Sequence, residues 1–356
     1  MRTLVTAQLT SWAQERLERD FGWSLALERG ALYGPAYGRP LPPDLDQYDA
    51  AIVEADPIGL RTLEAMPHLC LLACVRGDPV NIDVEAATSR GIPVLFAPGR
   101  NADAVADFTL GLILSVTRWI GHTHHLLKMR ELTEEAAPGA EGRADVIWTS
   151  RDRTRPHPYA LYKGPELRSL VLGLVGFGDV GRRVAERAVA LGMHVLAHDP
   201  YMSADRIAAA GCSAASLDEL LRSADIVSLH ARGSGRPLLG ERELRTMKHG
   251  SYLINTARAT LLDYDALYRA LRDRHLAGAG LDVYPIEPLP PDSPLLTLDN
   301  VTLTPHLAGA STDVAGHQSE IIVANIAALL AGDREHLAIK NPGVLDAWYA
   351  RSAAAG

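Results

Sequence analysis

The feature that most constrains this chain is Gly176-Phe177-Gly178-Asp179-Val180-Gly181, a G-x-G-x-x-G set between the apolar run Val171 to Val175 and a helical pattern over Val180 to Leu191. Each glycine in a strand–turn–helix of this kind has a physical task. Gly176 makes the tight turn, Gly178 lets the backbone approach a pyrophosphate, and Gly181 lets the helix pack closely on the strand. The pyrophosphate then sits at the positive end of the helix. A second apolar run, Met193 to Ala197, leads into His198 and the acidic Asp199. A carboxylate there accepts hydrogen bonds from ribose hydroxyls and repels a 2′-phosphate, so the expected cofactor is NAD rather than NADP. The fold this implies is α/β, with a Rossmann-type, doubly wound parallel sheet.

The rest of the chain supports α/β architecture. Short β-like runs at Leu4 to Thr6, Ala50 to Glu54, Leu69 to Val75 and Ile92 to Phe96 alternate with helical stretches at Trp12 to Phe21 and Ile82 to Arg90. That is one small α/β unit. Asn101 to Leu127 reads as a single long helix. Residues 134–165 carry no sustained period and read as a loop or arm. Beyond them come strands at Ser169 to Val175, Met193 to Ala197, Asp225 to His230, Tyr252 to Asn255, Gly278 to Val283 and Val301 to Thr304, helices at Val180 to Leu191 and Leu262 to Arg272, and the apolar helix Ile321 to Leu330.

With 356 residues, two domains are expected, and a core of that size needs no metal or disulfide staple. The formal net charge is −8, which argues against a nucleic-acid partner. Cys70, Cys74 and Cys212 are too few and oddly numbered for a disulfide framework, and read as small buried hydrophobes. No segment approaches the apolar length of a membrane span, and Met1 to Val5 opens no signal peptide, so a cytoplasmic protein is expected. His122, His124 and His125 lack the spacing of a helical metal pair, so no metal is expected and a structural or interface role is read for them. Arg143, Arg151, Arg153 and Arg155 read as a solvated arm.

The stretch Leu172 to Gly181 resembles the dinucleotide fingerprint of the D-isomer-specific 2-hydroxyacid dehydrogenases, and so does Gly192 to Tyr201. The resemblance continues through Asn255-Thr256-Ala257-Arg258, Gly280-Leu281-Asp282-Val283, Glu287-Pro288 and Thr304-Pro305-His306. Upstream it includes Gly91-Ile92-Pro93-Val94 and Pro98 to Ala102. It covers about residues 50 to 340 and looks most like the phosphoglycerate dehydrogenase branch, without that branch's long C-terminal regulatory extension. It implies a discontinuous, flavodoxin-like substrate domain formed by residues 1–100 and 307–356, an NAD-binding domain over 101–306, an active site in the cleft between them, and a homodimer.

Carried over position by position, the resemblance implies three catalytic residues. Arg258 matches the arginine that holds the substrate carboxylate in a fork and polarises the carbonyl. His306 matches the general acid/base. Glu287 matches its partner, and a nearby carboxylate favours imidazolium and fixes the ring. The cofactor contacts expected with these are Gly176 to Gly181, Asp199, Pro200, Tyr201, His230, Thr256, Ala257, Arg258, Asp282 and His306, with Asp282 against the nicotinamide amide. Arg76, Gly77 and Asp78 form the loop expected to meet the substrate, together with Arg258 and His306.

The chain departs from the family pattern in two places. Ala259 and Thr260 replace frequent glycines after the catalytic arginine. Asp78 is an acid in a loop meant to meet an anion; it is expected either to face the pocket and repel a second anionic group, or to pair with Arg76 at the rim, and the first is favoured. The expected function is hydride transfer between NAD and a D-2-hydroxy acid/2-oxo acid pair. A formate dehydrogenase would have Gln at Glu287. The alternatives are a phosphite dehydrogenase-like enzyme, with Arg76 as the basic loop residue, and an NAD-sensing corepressor-like binding protein.

Overall fold

The computed structural model describes residues 1–27, 41–134, 157–233 and 235–355. The arm expected over 134–165 lies largely outside the described residues, and its Arg143, Arg151, Arg153 and Arg155 wholly so. The chain divides into two compact units, Met1–Asn101 with Ala310–Gly356, and Ala102–Gly309. The discontinuity of the first arises because the chain returns to it after completing the second.

The first unit holds the strands β1 (Arg2–Val5), β2 (Ser24–Leu27), β3 (Ala50–Val53), β4 (Leu71–Cys74) and β5 (Val94–Phe96). They form one parallel sheet in the order β2-β1-β3-β4-β5, the flavodoxin-like order. Residues of β3 and β4 are buried on both faces, which is why these strands read as unbroken apolar runs. Alternate side chains enter two cores. Val5, Ala50, Ile52, Leu71 and Ala73 face one, and Leu4, Ala51, Val53, Leu72 and Cys74 face the other. The helix Val314–Ala331 is long and apolar enough, by composition, to cross a membrane. Its Ile322, Val323, Ile326 and Leu329 are buried in the first of these cores, which accounts for that composition. Leu95 pairs antiparallel with Ile339, so the returning chain also closes the β5 edge.

The second unit holds β6 (Val171–Val175), β7 (His194–His198), β8 (Ser213–Ala214), β9 (Ile226–Leu229), β10 (Ser251–Asn255), β11 (Leu276–Leu281) and β12 (Val301–Leu303). Their order is β12-β11-β10-β9-β6-β7-β8, all parallel. Consecutive strands add outward on either side of β6, so the switch in direction falls between β6 and β9, where α/β sheets bind ligands. The helix Asp179–Ala190 leaves the end of β6 and is tied to the helix Ala102–Thr117 by Arg183 and Arg187, which pair with Asp103 and Asp107 at 2.6–2.9 Å.

The expected strands are present, with ends shifted by no more than two residues. The single helix expected over Asn101 to Leu127 is not. It is two helices, Ala102–Thr117 and Ile120–Lys128, bent by 66°. Trp119 at the break is left-handed, with φ 56°. Its ring meets His122 at 5.4 Å and Tyr162, far along the chain, at 5.8 Å. Strand β2 was not expected either. It is a short edge strand with no residue fully buried, so it lacks the apolar signature. Cys70, Cys74 and Cys212 are free thiols; burial pushes Cys74 up to about 11, so it is inert at neutral pH.

Candidate active site

The glycine turn at the end of β6 has the shape of a dinucleotide cradle. Gly176 has φ 98°, and a Cβ there would lie 2.6 Å from the backbone of His230 and Ala231. A Cβ on Gly181 would lie 2.3 Å from the Gly176 carbonyl oxygen, so only glycine lets the helix approach this closely. Above Gly178 the space is open. Gly178 caps the helix Asp179–Ala190 without a side-chain acceptor, so the first-turn N–H groups point outward unclaimed by a cap. The Phe177 side chain is fully buried; its backbone N–H donates to Asp199 Oδ2 at 2.7 Å. Asp199 Oδ1 accepts from the Tyr201 N–H at 2.9 Å. Each oxygen keeps lone pairs for ribose hydroxyls.

His230, at the end of β9, adds a second sign of a missing partner. Its Nε2 lies 2.9 Å from Ser228 Oγ, while its Nδ1 is buried with no hydrogen-bond partner among the described residues. Burial lowers this imidazole to about 4, so it is neutral. The cradle, the uncapped helix start and the orphaned nitrogen beside the same turn together fit a dinucleotide.

The chemical groups gather at the ends of β10, β11 and β12. Asn255 ends β10 and is fully buried. Its Oδ1 accepts from the Ala257 N–H at 3.1 Å and its Nδ2 donates to the Arg258 carbonyl at 3.0 Å, which shapes the turn Thr256–Arg258. Thr256 turns inward, with its hydroxyl 2.9 Å from that of Thr109. Arg258 is exposed; its Nη1 donates to the Ala257 carbonyl at 2.6 Å, and the rest of the fork has no hydrogen-bond partner among the described residues. Glu287 Oε2 accepts from His306 Nδ1 at 2.7 Å, and Oε1 accepts from the Tyr284 N–H at 2.9 Å. Desolvation raises the Glu287 carboxyl, but the bonds from His306 and Tyr284 and the nearby Arg258 charge outweigh it and hold the group below the ordinary carboxylate value. An ionised carboxylate only accepts, so the proton lies on Nδ1 and Nε2 is left for chemistry.

Arg258, Glu287 and His306 line one cavity of about 540 Å³, with Pro237, Ala259, Thr260, Leu262, Val283, Tyr284 and Pro285 among its other walls. The structure thus brings the three expected catalytic residues together.

Asp282 stands differently from its expected place against a nicotinamide. It is fully buried, and its carboxylate is engaged inside the protein. Oδ1 accepts from Thr304 Oγ1 at 2.6 Å and the Leu307 N–H at 2.8 Å, and Oδ2 accepts from the Ala308 N–H at 2.8 Å. These bonds hold the loop that carries His306, whose own φ is 55°. Sequence reasoning missed this fastening, as it missed Asn255 and Tyr284. The Tyr284 hydroxyl lies 2.8 Å from the Leu281 carbonyl and accepts from the Thr304 N–H at 3.1 Å. An Asn directly before a turn was the one available signal.

The substrate loop departs from expectation too. Among the described residues Asp78 makes no ion pair with Arg76. Its Oδ1 lies 2.6 Å from Lys340 Nζ. The reason is tertiary: Lys340 comes from the returning C-terminal segment, which no local reading places beside β5.

Residues 144–308 match the family model described as D-isomer specific 2-hydroxyacid dehydrogenase, NAD binding domain. A glyoxylate reductase of Korarchaeum cryptofilum is 36% identical over 280 residues, covering 78% of each chain. The chain belongs to the D-isomer-specific 2-hydroxyacid dehydrogenases. It is thereby an NAD(P)-dependent oxidoreductase of 2-hydroxy acids. The dehydrogenase is also similar to a D-3-phosphoglycerate dehydrogenase of Archaeoglobus fulgidus, 32% identical over 85% of this chain and 53% of that one. Among solved structures it is similar to the TT0316 protein of Thermus thermophilus, with a TM-score of 0.72 and 35% identity over 93% of this chain and 97% of that one.

Proposed function

We propose that the protein is an NAD-preferring dehydrogenase that interconverts a D-2-hydroxy acid and its 2-oxo acid, with His306 as general acid/base, Glu287 as its partner and Arg258 as the carboxylate anchor. The observation that carries this reading is the Glu287–His306 bond of 2.7 Å inside the cavity that Arg258 also lines. Bound at the glycine turn, the nicotinamide cofactor supplies the hydride for carbonyl reduction. Arg258 holds the carboxylate of the 2-oxo acid in its open fork and draws electron density from the adjacent carbonyl. His306 Nε2 gives a proton to the carbonyl oxygen, and takes it back in the oxidative direction. Glu287 keeps the ring turned so that Nε2 faces the substrate and stabilises the charge the ring carries when doubly protonated.

NAD preference rests on Asp199, whose partly exposed carboxylate ends β7 where a 2′-phosphate would have to lie. The reading keeps Arg76, Gly77 and Asp78 as substrate-binding residues. A small-molecule partner, a homodimer and a cytoplasmic setting complete the reading.

The test is consumption of NADH, followed by its absorbance, with a panel of 2-oxo acids. Turnover by the wild type and a loss of roughly 10²-fold or more in kcat for His306→Ala are expected. Binding of NADH with no turnover of any member would instead favour the corepressor-like reading.

A further inference from the structure

Glu287 and His306 reach the cavity from two different loops, one after β11 and one after β12, and their 2.7 Å bond requires those loops to keep a fixed spacing. We infer that Tyr284 is a positioning residue that sets this spacing, with its backbone N–H on the carboxylate and its phenol on the segment that carries the imidazole. The inference rests on the proposed roles of Glu287 and His306 and adds the group that keeps the two in register.

Tyr284 follows the end of β11 and is only 7% exposed. Its N–H donates to Glu287 Oε1 at 2.9 Å, so the carboxylate is gripped at one oxygen while the other accepts from His306 Nδ1. Its phenol oxygen lies 2.8 Å from the Leu281 carbonyl and 3.0 Å from the Thr304 carbonyl, and accepts from the Thr304 N–H at 3.1 Å. A phenol has one proton to give, so the two carbonyls share it, and the ends of β11 and β12 are bound through one atom. The Thr304 carbonyl also accepts from the His306 N–H at 3.1 Å. A single carbonyl therefore stands between the phenol and the His306 backbone.

That backbone needs holding. With φ 55°, His306 is left-handed, a conformation that a non-glycine residue keeps where its surroundings over-determine it. The Asp282 carboxylate takes the N–H groups after His306, and the phenol takes the Thr304 backbone before it. Tyr284 differs from Asp282 in also holding Glu287. Tyr264 adds a tie to the same peptide plane: its hydroxyl donates to the Val283 carbonyl, which shares that plane with the Tyr284 N–H and so helps aim it at Glu287. Burial pushes the Tyr284 phenol up to about 12, so it keeps its proton and remains a donor through the neutral range.

The experiment uses Tyr284→Phe, which keeps the ring and the backbone N–H and removes the hydroxyl alone. With any 2-oxo acid that is turned over, kcat is expected to fall roughly three- to tenfold, the scale of one neutral hydrogen bond, while KM stays within about twofold. In a Glu287→Ala background the same change should cost less than about twofold, because the spacing it sets no longer serves a bond. A second readout needs no turnover. Desolvation raises the Glu287 carboxyl, and the bonds from His306 and the Tyr284 N–H, with the Arg258 charge, outweigh it. The titratable and charged groups facing Glu287 are His306, Arg258 and the phenols of Tyr264 and Tyr284, and burial keeps both phenols neutral. In a carbon-13 NMR titration, with the Glu287 signal identified by its loss in Glu287→Gln, Tyr284→Phe should move the Glu287 midpoint up toward the ordinary carboxylate value. Tyr264→Phe, which frees the same peptide from its other side, should move it the same way. An unmoved midpoint in Tyr284→Phe, a raised KM with unchanged kcat, or an undiminished cost in the Glu287→Ala background would each overturn the inference. Full turnover by His306→Ala, or no turnover of any 2-oxo acid by the wild type, would count against the proposed dehydrogenase chemistry, and the Glu287 midpoint would still decide on Tyr284.

Discussion

Asp282→Asn separates a fastening role from a cofactor-contacting one, and its cost follows from counting donors. Three donors converge on the carboxylate: Thr304 Oγ1 and the Leu307 N–H on Oδ1, and the Ala308 N–H on Oδ2. An amide offers one oxygen. Its better orientation leaves that oxygen with Thr304 and Leu307 and turns the NH2 toward the Ala308 N–H, so two donors face each other. One charge-assisted bond is lost, a buried donor is left unpaired, and the other two bonds lose their charge. At about 1.5–3 kcal/mol for a bond to a charged group, and with some relaxation of the loop, the change costs roughly 2–4 kcal/mol. For a unit of this size that lowers Tm by roughly 5–15 °C. The freed loop carries His306, so kcat should fall by roughly 10–100-fold, the scale of a small misplacement of a reacting group. The NADH Kd should stay within about twofold. Calorimetric melting, steady-state kinetics and a fluorescence titration of NADH measure the three quantities. An unchanged Tm and kcat with weakened NADH binding would refute the fastening argument and return Asp282 to the nicotinamide.

Three further outcomes are expected. Gly181→Ala puts a methyl group 2.3 Å from the Gly176 carbonyl oxygen and must open the turn; NADH affinity should fall by roughly tenfold, in line with overpacking costs of 1–3 kcal/mol, and calorimetric titration checks it. Asp199→Ala removes the repulsive carboxylate, so the NADPH-to-NADH ratio of kcat/KM should rise by at least roughly tenfold, and an unchanged ratio would count against NAD preference by charge. Glu287 has its carboxyl held below the ordinary value of 4.5, so its stabilising bonds are fully present above that pH and are lost as pH falls through the lower folded value. The Tm difference between wild type and Glu287→Gln should therefore be present just above pH 4.5 and vanish in stronger acid, and a difference that grew as pH fell below 4.5 would contradict it.

Local sequence was enough for the parts of this protein whose chemistry is local. The glycine turn is legible because Gly176 and Gly181 stand where a Cβ would strike backbone. The two α/β units are legible because β3, β4 and the strands around β6 are parallel and buried, and so are written as short apolar runs. Arg258, Glu287 and His306 could be picked out by motif, each on a loop that follows a strand.

Tertiary structure decided what depends on distant segments meeting. The helix breaks at Trp119, whose ring meets that of Tyr162 from far along the chain. Asp282 is enclosed because the loop Thr304–Ala308 folds over it, which no residue within β11 announces. Asp78 is paired by Lys340 because the chain returns to the edge of β5, where Ile339 meets Leu95 across 243 intervening residues. A sequence states which groups a chain owns. Which of them remain free to bind is settled by the partners that folding brings to each, because a charge or a donor is available only when nothing closer has claimed it.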